Sequence, residues 1–221
     1  MVGADSHSDG TIMNLLLVGA TGLVGRHVLA LALADARVAT VVAPVRKALP
    51  AHPKLQAPLV DFDRLPPDAP WWQADAVICT LGTTMKAAGT RQVFRRVDHD
   101  YPLAVARLAL AAGTPAYVLN SAAGASAGSR IFYNRVKGEL ERDLEGLGFA
   151  SLTHVRPGLI GGERDEARMG EALALGVLRV LGPVLPARWR INPAPRIAHA
   201  LLEAAMRATP GVHVVTSERL L

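Results

Sequence analysis

Tyr133 and Lys137 stand four residues apart in a stretch with a helical pattern. Residues at this spacing share one face of a helix, so the ammonium would lie beside the phenol. Carbonyl reduction needs a proton donor beside the carbon that accepts hydride, and a tyrosine hydroxyl donates well only when a nearby cation favours its charged form. Lys137 would supply that cation and would also bond to a nicotinamide ribose. Ser121 precedes this pair at the end of a predicted strand, where its hydroxyl could hold the substrate oxygen.

Three glycines, at positions 19, 22 and 25, follow four apolar residues and precede a helical apolar pattern. A strand, a tight turn and a helix N-terminus let the backbone approach a pyrophosphate closely. In this pattern Gly19 permits the turn, Gly22 leaves room for the phosphate and Gly25 lets the helix lie close to the strand. The alternative is a plain strand–helix turn that happens to contain glycines. The predicted cofactor-binding residues of the turn are Gly19, Thr21, Gly22, Leu23, Val24 and Gly25.

The end of the second predicted strand indicates which dinucleotide would bind. NAD-preferring folds usually place a carboxylate there for the ribose 2′-hydroxyl, but residues 42–44 contain none. Arg46 and Lys47 follow instead, and a 2′-phosphate needs such partners, which favours NADP over NAD. The alternative is that both are solvated loop cations. Asp61, after the third predicted strand, either accepts from the adenine amine or is a turn residue.

The other predicted cofactor contacts lie where later strands end. Leu81, Gly82 and Thr83 follow the fourth strand, and their small members would let the backbone approach the cofactor, although a tight loop also explains them. Several further residues are predicted to be structural, or to be paired or solvated, rather than catalytic: Trp71, Trp72, His99, Asp100 and His154. Arg156 either anchors a strand end or contacts a ligand. A cluster at 188–190 either clamps an anionic substrate or is solvated.

Strand and helix patterns alternate along the chain, which predicts an α/β fold with a doubly wound parallel sheet. The predicted strands are 14–19, 38–43, 57–60, 76–80, 116–120, 150–155 and 212–215, and the predicted helices are 23–34, 91–112 (bent near Pro102), 132–147, 170–181 and 195–208. Ligands bind such Rossmann-like sheets at the carboxyl edge. We expect one domain over 14–221, with a substrate-side flap at 159–195 and a flexible tail at 1–13.

Composition narrows the class of protein. The 221 residues are 50% apolar and 19% charged, so they can bury a large core. The net charge of +5 comes from scattered rather than clustered cations, which does not favour nucleic-acid binding. The single Cys79 allows no disulfide framework within one chain, and neither a membrane span nor a secretory signal core is evident. These features predict a cytoplasmic protein with a small-molecule substrate.

Together these motifs resemble the short-chain dehydrogenases/reductases, and specifically their atypical NAD(P)-binding branch, the oxidoreductases similar to Tat-interacting protein 2. The resemblance covers roughly residues 14–205. The residues that carry it are Gly19, Gly22, Gly25, Ser121, Tyr133 and Lys137, with support from 81–84, 97–101, 136–139 and 156–158.

The resemblance implies a Rossmann fold, NADPH binding and a homodimer. It also implies that Tyr133 is the acid/base, that Lys137 is its partner and that Ser121 holds the substrate oxygen. Backbone after Pro157 would meet the cofactor carboxamide. One departure is Asp98, which stands where many classical members have an asparagine that helps to relay protons, so the relay is in doubt. No metal site is predicted, because the histidines and the cysteine lack zinc-ligand spacing.

Three functions fit the sequence. The first is an NADPH-dependent reductase of a small carbonyl compound. The second is a regulatory protein in which NADPH occupancy changes a partner surface and turnover is incidental. The third is an epimerase or dehydratase with tightly held NAD, although the short stretch after Pro157 leaves little room for a sugar-nucleotide domain.

Overall fold

Seven parallel strands form the central sheet of the computed structural model, which describes residues 12–161 and 191–221. The strands of the chain are β1 (Met13–Val18), β2 (Val38–Val42), β3 (Leu55–Gln56), β4 (Ala76–Cys79), β5 (Ala116–Asn120), β6 (Ser151–Arg156), β7 (Leu159–Gly161), β8 (Ile191–Pro193) and β9 (Gly211–Thr216). The main sheet has the order β3-β2-β1-β4-β5-β6-β9, and β7 pairs with β8 separately. The order reverses beside β1, as it does in dinucleotide-binding folds. This confirms the predicted Rossmann-like fold.

Helices cover both faces of the sheet. They are α1 (Leu23–Ala34), α2 (Met85–Ala88), α3 (Arg91–Arg95), α4 (Tyr101–Ala111), α5 (Phe132–Glu145) and α6 (Ala194–Arg207). One hydrophobic core lies between the sheet and helices α1 and α6, and it contains Leu15 and Leu17 of β1. The other lies between the sheet and helices α4 and α5, and it contains Leu16 and Val18. Strand side chains alternate between faces, so an apolar run such as β1 is buried on both. Because all the strands of the main sheet are parallel, their carboxyl ends form one shared edge.

The third strand differs from the prediction. Residues 57–60 were expected to form it, but β3 ends at Gln56 and only an isolated bridge joins Leu59 to Val45. The reason is Pro58, which has no N–H to donate and so interrupts the ladder. The chain nevertheless stays beside β2, because Val45 N donates to the Pro58 carbonyl at 3.0 Å.

The predicted helix over 91–112 is divided by one π-helical turn, Arg96–Asp100, between α3 and α4. Pro102 lies in the first turn of α4 and has no N–H to bond to the carbonyl of Asp98. Tyr101 N donates instead to Arg96 O, five residues back. Such π-helical turns occur often at functional sites, and this one carries two buried polar residues, Asp98 and His99.

Some expectations fall on parts of the chain outside the described residues. These are most of the tail at 1–13, the helix at 170–181, most of the flap at 159–195 and the cluster at 188–190. Over 12–161 and 191–221, no helix combines the length and apolar character that a membrane crossing requires. The same residues contain no group of three or more histidine, cysteine or carboxylate side chains arranged to hold a metal ion.

Candidate active site

The glycine turn after β1 is closed by two contacts that exclude side chains. Gly19 has φ +90°, and a Cβ there would lie 2.7 Å from the backbone carbon of Thr80. A Cβ on Gly25 would lie 2.0 Å from Gly19 O. The Thr80 hydroxyl fastens the same turn, since it lies 3.1 Å from the carbonyl oxygens of both Gly19 and Val18. Strand and helix therefore meet at van der Waals distance, as the glycine spacing predicts.

The N-terminus of α1 is suited to an anion. Its N-cap is Gly22, which offers no side-chain cap, and the first turn contains no acidic residue. The first N–H groups of a helix have no partner within it, and they carry a partial positive charge. Thr21 is exposed and Leu23 half-buried beside this terminus, whereas the side chain of Val24 is buried in the core. Val24 can therefore contact a ligand only through its backbone.

A small pocket continues from the glycine turn along the carboxyl edge. It is lined by Gly19, Ala20, Thr21, Pro44, Val45, Arg46, Phe62 and Leu81. Arg46 is thus placed at the predicted nucleotide end, whereas Lys47 is exposed and does not line the pocket. Asp61 accepts the N–H of Asp63 at 2.9 Å, which is a contact expected of a turn residue, and its role toward adenine stays a prediction. Sequence reasoning missed Phe62, for which the only available signal was its position next to Asp61.

A buried ion pair lies on the other side of the glycine turn. Lys137 Nζ is 2.8 Å from Asp98 Oδ1, and the two side chains are 4% and 1% exposed. The second Asp98 oxygen accepts the N–H of Thr83 at 2.8 Å. Gly82 is adjacent, because a Cβ there would lie 3.3 Å from Asp98 Oδ1 and 3.6 Å from Lys137 Nζ. The loop after β4 and the lysine of α5 are therefore joined through one carboxylate.

The charge of Lys137 is maintained despite its burial. Burial by itself lowers the pKa of Lys137, but the negative charge of Asp98 and its hydrogen bond to the ammonium more than offset this effect, so the pKa lies above the ordinary 10.5. The lysine is therefore an ammonium at neutral pH. Because Asp98 already compensates this charge, Lys137 does not act on its surroundings as an isolated cation.

Tyr133 lies one helical turn before Lys137 and is 37% exposed. Its ring packs against Phe94 of α3, with centroids 5.6 Å apart. Helix α5 lies close to the loop after β5, because a Cβ on Gly138 would be 2.1 Å from the backbone carbon of Ser126. Gly138 thus sets how near the tyrosine-bearing helix comes to this loop, a role that the spacing of Tyr133 and Lys137 did not reveal.

Ser121 directly follows β5 and is buried, and its hydroxyl has no hydrogen-bond partner among the described residues. Its backbone N–H donates to Val155 O at 2.7 Å, and the N–H of Ala123 donates to Pro157 O at 2.7 Å. The ends of β5 and β6 are therefore fastened together, with the serine between them. A buried hydroxyl without a partner is costly, which fits a group that awaits a polar ligand.

The remaining polar candidates have partners within the protein. His99 lies between Asp100 and Asp143, with nitrogen–oxygen distances of 2.8 and 3.0 Å. Arg156 makes a two-pronged ion pair with the buried Glu141 at 2.9 and 2.6 Å, so it anchors the end of β6.

Trp72 and His154 have structural contacts, as the sequence predicts. Trp72 is buried in the core beside α4, and its Nε1 donates to the Pro66 carbonyl at 2.7 Å. His154 is fully buried, and burial lowers its pKa even though Glu145 lies 3.2 Å away. Both residues therefore support the sheet rather than the candidate site.

Comparisons with curated proteins identify relatives along nearly the whole chain. Protein fmp52, mitochondrial, of Aspergillus clavatus is 36% identical over 220 residues, which cover 94% of this chain and 93% of that protein. The Aspergillus fumigatus protein of the same name is 37% identical over 222 residues, with the same coverage. No family model matches the chain. The names of these relatives contradict the predicted cytoplasmic location, because they are called mitochondrial proteins.

Solved structures share the fold at low sequence identity. MoeE5, solved with UDP-glucose and NAD, has a TM-score of 0.70 at 17% identity and is matched over 92% of this chain and 75% of its own. The oxidoreductase ylbE from Lactococcus lactis has a TM-score of 0.68 at 19% identity, over 92% of this chain and 90% of its own. These likenesses show the fold of NAD-binding short-chain dehydrogenase/reductase and epimerase proteins. The fungal relatives establish that the chain belongs to the Fmp52 family, and the chain shares its fold with proteins of the short-chain dehydrogenase/reductase type.

Proposed function

We propose that the protein is a nicotinamide-dependent oxidoreductase that reduces a small carbonyl compound, with Tyr133 as the proton donor. The observation that carries the proposal is the buried Lys137 ammonium one helical turn behind the exposed Tyr133. The buried hydroxyl of Ser121 at the same sheet edge, which has no hydrogen-bond partner in the part of the chain that the structure describes, adds to it. A bound dihydronicotinamide would supply hydride to the carbonyl carbon, and an alcohol would be the product.

Each of the three side chains has a defined task in this reaction. The phenol of Tyr133 donates its proton to the carbonyl oxygen as negative charge develops there. Ser121 donates a hydrogen bond to the same oxygen and fixes its position. Lys137 holds positive charge behind the phenol and can bond to the ribose, but Asp98 moderates its field.

The residues present fit a dinucleotide. Gly25 allows α1 to lie against the turn, and the uncapped helix N-terminus offers N–H groups to a pyrophosphate. Gly82 brings backbone near the lysine, and the turn at Pro157 lies at the nicotinamide end of the proposed site. We propose NADP rather than NAD because Arg46 lines the nucleotide pocket. MoeE5 and the Bordetella bronchiseptica enzyme WbmH were solved with NAD, which makes NAD the alternative.

The test is the variant Tyr133→Phe, which keeps the ring and removes the hydroxyl. Proton transfer by a positioned side chain contributes about 100-fold or more to a rate. We therefore expect NADPH oxidation with a panel of aldehydes and ketones to fall at least about 100-fold, while the Kd for NADPH stays within about twofold. Tyr101→Phe is the matched control, because it also removes one phenol oxygen, and that hydroxyl donates to the exposed carboxylate of Asp63 at 2.8 Å. Unchanged turnover in Tyr133→Phe would refute the proposed role.

A sugar-nucleotide epimerase is a second candidate, favoured by two structural neighbours solved with UDP-glucose, MoeE5 and a UDP-glucose 4-epimerase from Thermotoga maritima. This chain matches only about three quarters of those proteins, at 75% and 76% of their lengths. Protein purified with firmly bound NAD and active on UDP-sugars, but not on simple carbonyls, would support it.

A homodimer is a further proposal, and the molecular mass measured by analytical ultracentrifugation would test it.

A further inference from the structure

Asn192 is a fully buried amide that joins three separate parts of the chain. It lies in β8, and its side chain is 0% exposed. Its Oδ1 accepts from Gly158 N at 2.6 Å and from the Ser217 hydroxyl at 2.8 Å. Its Nδ2 donates to Ser217 O at 3.0 Å. One side chain thus fastens the turn after β6 to the last turn of the chain.

The bonds of Asn192 lead directly to the candidate active site. Gly158 follows Pro157, whose carbonyl accepts from Ala123 N at 2.7 Å. Two residues before Pro157, the carbonyl of Val155 accepts from the N–H of Ser121. The amide therefore secures the same pair of strand ends that holds Ser121 in place.

Within the described residues, few other contacts fix the position of the turn on that side. There the β7–β8 ladder, which continues from the turn, pairs three residues of each strand. The proline has no N–H of its own to bond. Without the amide, Gly158 N would lose the acceptor that the described residues give it, and the peptide after Pro157 would keep only the bond from Ala123 N to the Pro157 carbonyl.

We propose that Asn192 is a positioning residue that orients the Pro157–Gly158 turn toward the nicotinamide half of the cofactor, with Ser217 as its support. This inference rests on the proposed function, because it needs a dinucleotide in the site. It assigns a role in cofactor placement to the C-terminal segment, which lies far from the glycine turn in sequence. The adenine half is bound by other elements, so Asn192 affects one half of the ligand only.

The test compares two ligands that differ by the nicotinamide ring. Titration calorimetry measures the Kd of NADP⁺ and of 2′-phosphoadenosine diphosphate ribose for each variant. Asn192→Leu keeps the approximate shape but can neither accept nor donate, and Ser217→Ala removes only one bond to the amide. Ser151→Ala is the matched control, because Ser151 is buried at the opposite end of β6.

We expect Asn192→Leu, which removes three hydrogen bonds including the one to Gly158 N, to raise the Kd of NADP⁺ about tenfold, and Ser217→Ala to raise it about threefold. The Kd of the ligand without nicotinamide should stay within about twofold, and the control should change neither value. If Asn192→Leu fails to fold, the Ser217→Ala comparison decides. Equal changes for both ligands, or none, would overturn the inference and leave the proposed function standing. Failure of the wild type to bind either ligand would overturn both.

Discussion

The ion pair between Asp98 and Lys137 gives the sharpest energetic prediction. Asp98→Ala leaves a buried ammonium without its counter-charge and the N–H of Thr83 without its acceptor. Breaking a buried pair from one side costs about 3–5 kcal/mol. For a chain of this size, where 1 kcal/mol shifts Tm by roughly 2–4 °C, we expect Tm to fall by roughly 6–20 °C.

A double-mutant cycle isolates the pair from other effects of each substitution. Lys137→Met keeps the aliphatic stem and removes the charge, so the double variant has neither an unpaired ammonium nor an unpaired carboxylate. We expect its destabilisation to be smaller than the sum of the single effects by at least about 2 kcal/mol, since charges in contact are strongly coupled. Urea unfolding followed by tryptophan fluorescence measures each variant. Asp100→Ala is the control, because that carboxylate lies on the same π-helical turn but is half exposed.

The pH dependence of this stability follows from the raised pKa of Lys137. A raised pKa in the folded state stabilises the protein fully below the ordinary value of 10.5, and the contribution is lost as pH rises through the folded value. The difference in unfolding free energy between wild type and the double variant, which has neither group, should therefore be constant from about pH 7 to 9, and wild type should lose stability relative to it only above about pH 10.5. Additive single effects in the cycle, or a loss of wild-type stability relative to the double variant below pH 9, would refute a charged buried pair.

Two further predictions concern the cofactor end. Gly25→Ala places a Cβ 2.0 Å from Gly19 O, so we expect its free energy of unfolding to fall by about 1–3 kcal/mol and its dinucleotide affinity to fall as well. In Gly22→Ala the Cβ would lie 3.4 Å from the same oxygen, so the free energy of unfolding should fall by less than about 1 kcal/mol. Equal unfolding midpoints for the two variants would contradict this. Arg46→Ala should raise the Kd of NADP⁺ at least about tenfold and change that of NAD⁺ less than about twofold, because only NADP carries the 2′-phosphate; parallel changes by calorimetry would show that Arg46 does not read it.

Local sequence patterns were sufficient to predict most of the fold. The apolar runs of β1 and β4 are buried on both faces and cannot be surface segments, and the glycine spacing after β1 has a steric cause in the contact between Gly25 and Gly19. The third strand was misplaced because one missing N–H, at Pro58, ended its ladder.

The electrostatics of the site could not be read from the sequence. Asp98 lies on a π-helical turn and contacts Lys137 of α5, and although Pro102 indicated a bend in this helix, it did not indicate which residues would face α5. Arg156 was left open between ligand and anchor, and its pairing with Glu141 depends on how α5 packs on β6. Such pairs join residues far apart in the chain, so they emerge only from the packed structure.

The central claim is that a nicotinamide cofactor lies along the carboxyl edge from the glycine turn to Tyr133. A crystal structure of the protein with NADP⁺ tests it most directly. We expect the pyrophosphate at the N-terminus of α1 and the nicotinamide ribose within hydrogen-bonding distance of Lys137. The Tyr133 hydroxyl should lie close enough to nicotinamide C4 to bond to the oxygen of a substrate carbonyl placed over that carbon. A nicotinamide ring on the far side of the sheet edge from Tyr133, or no dinucleotide at the glycine turn, would contradict the claim.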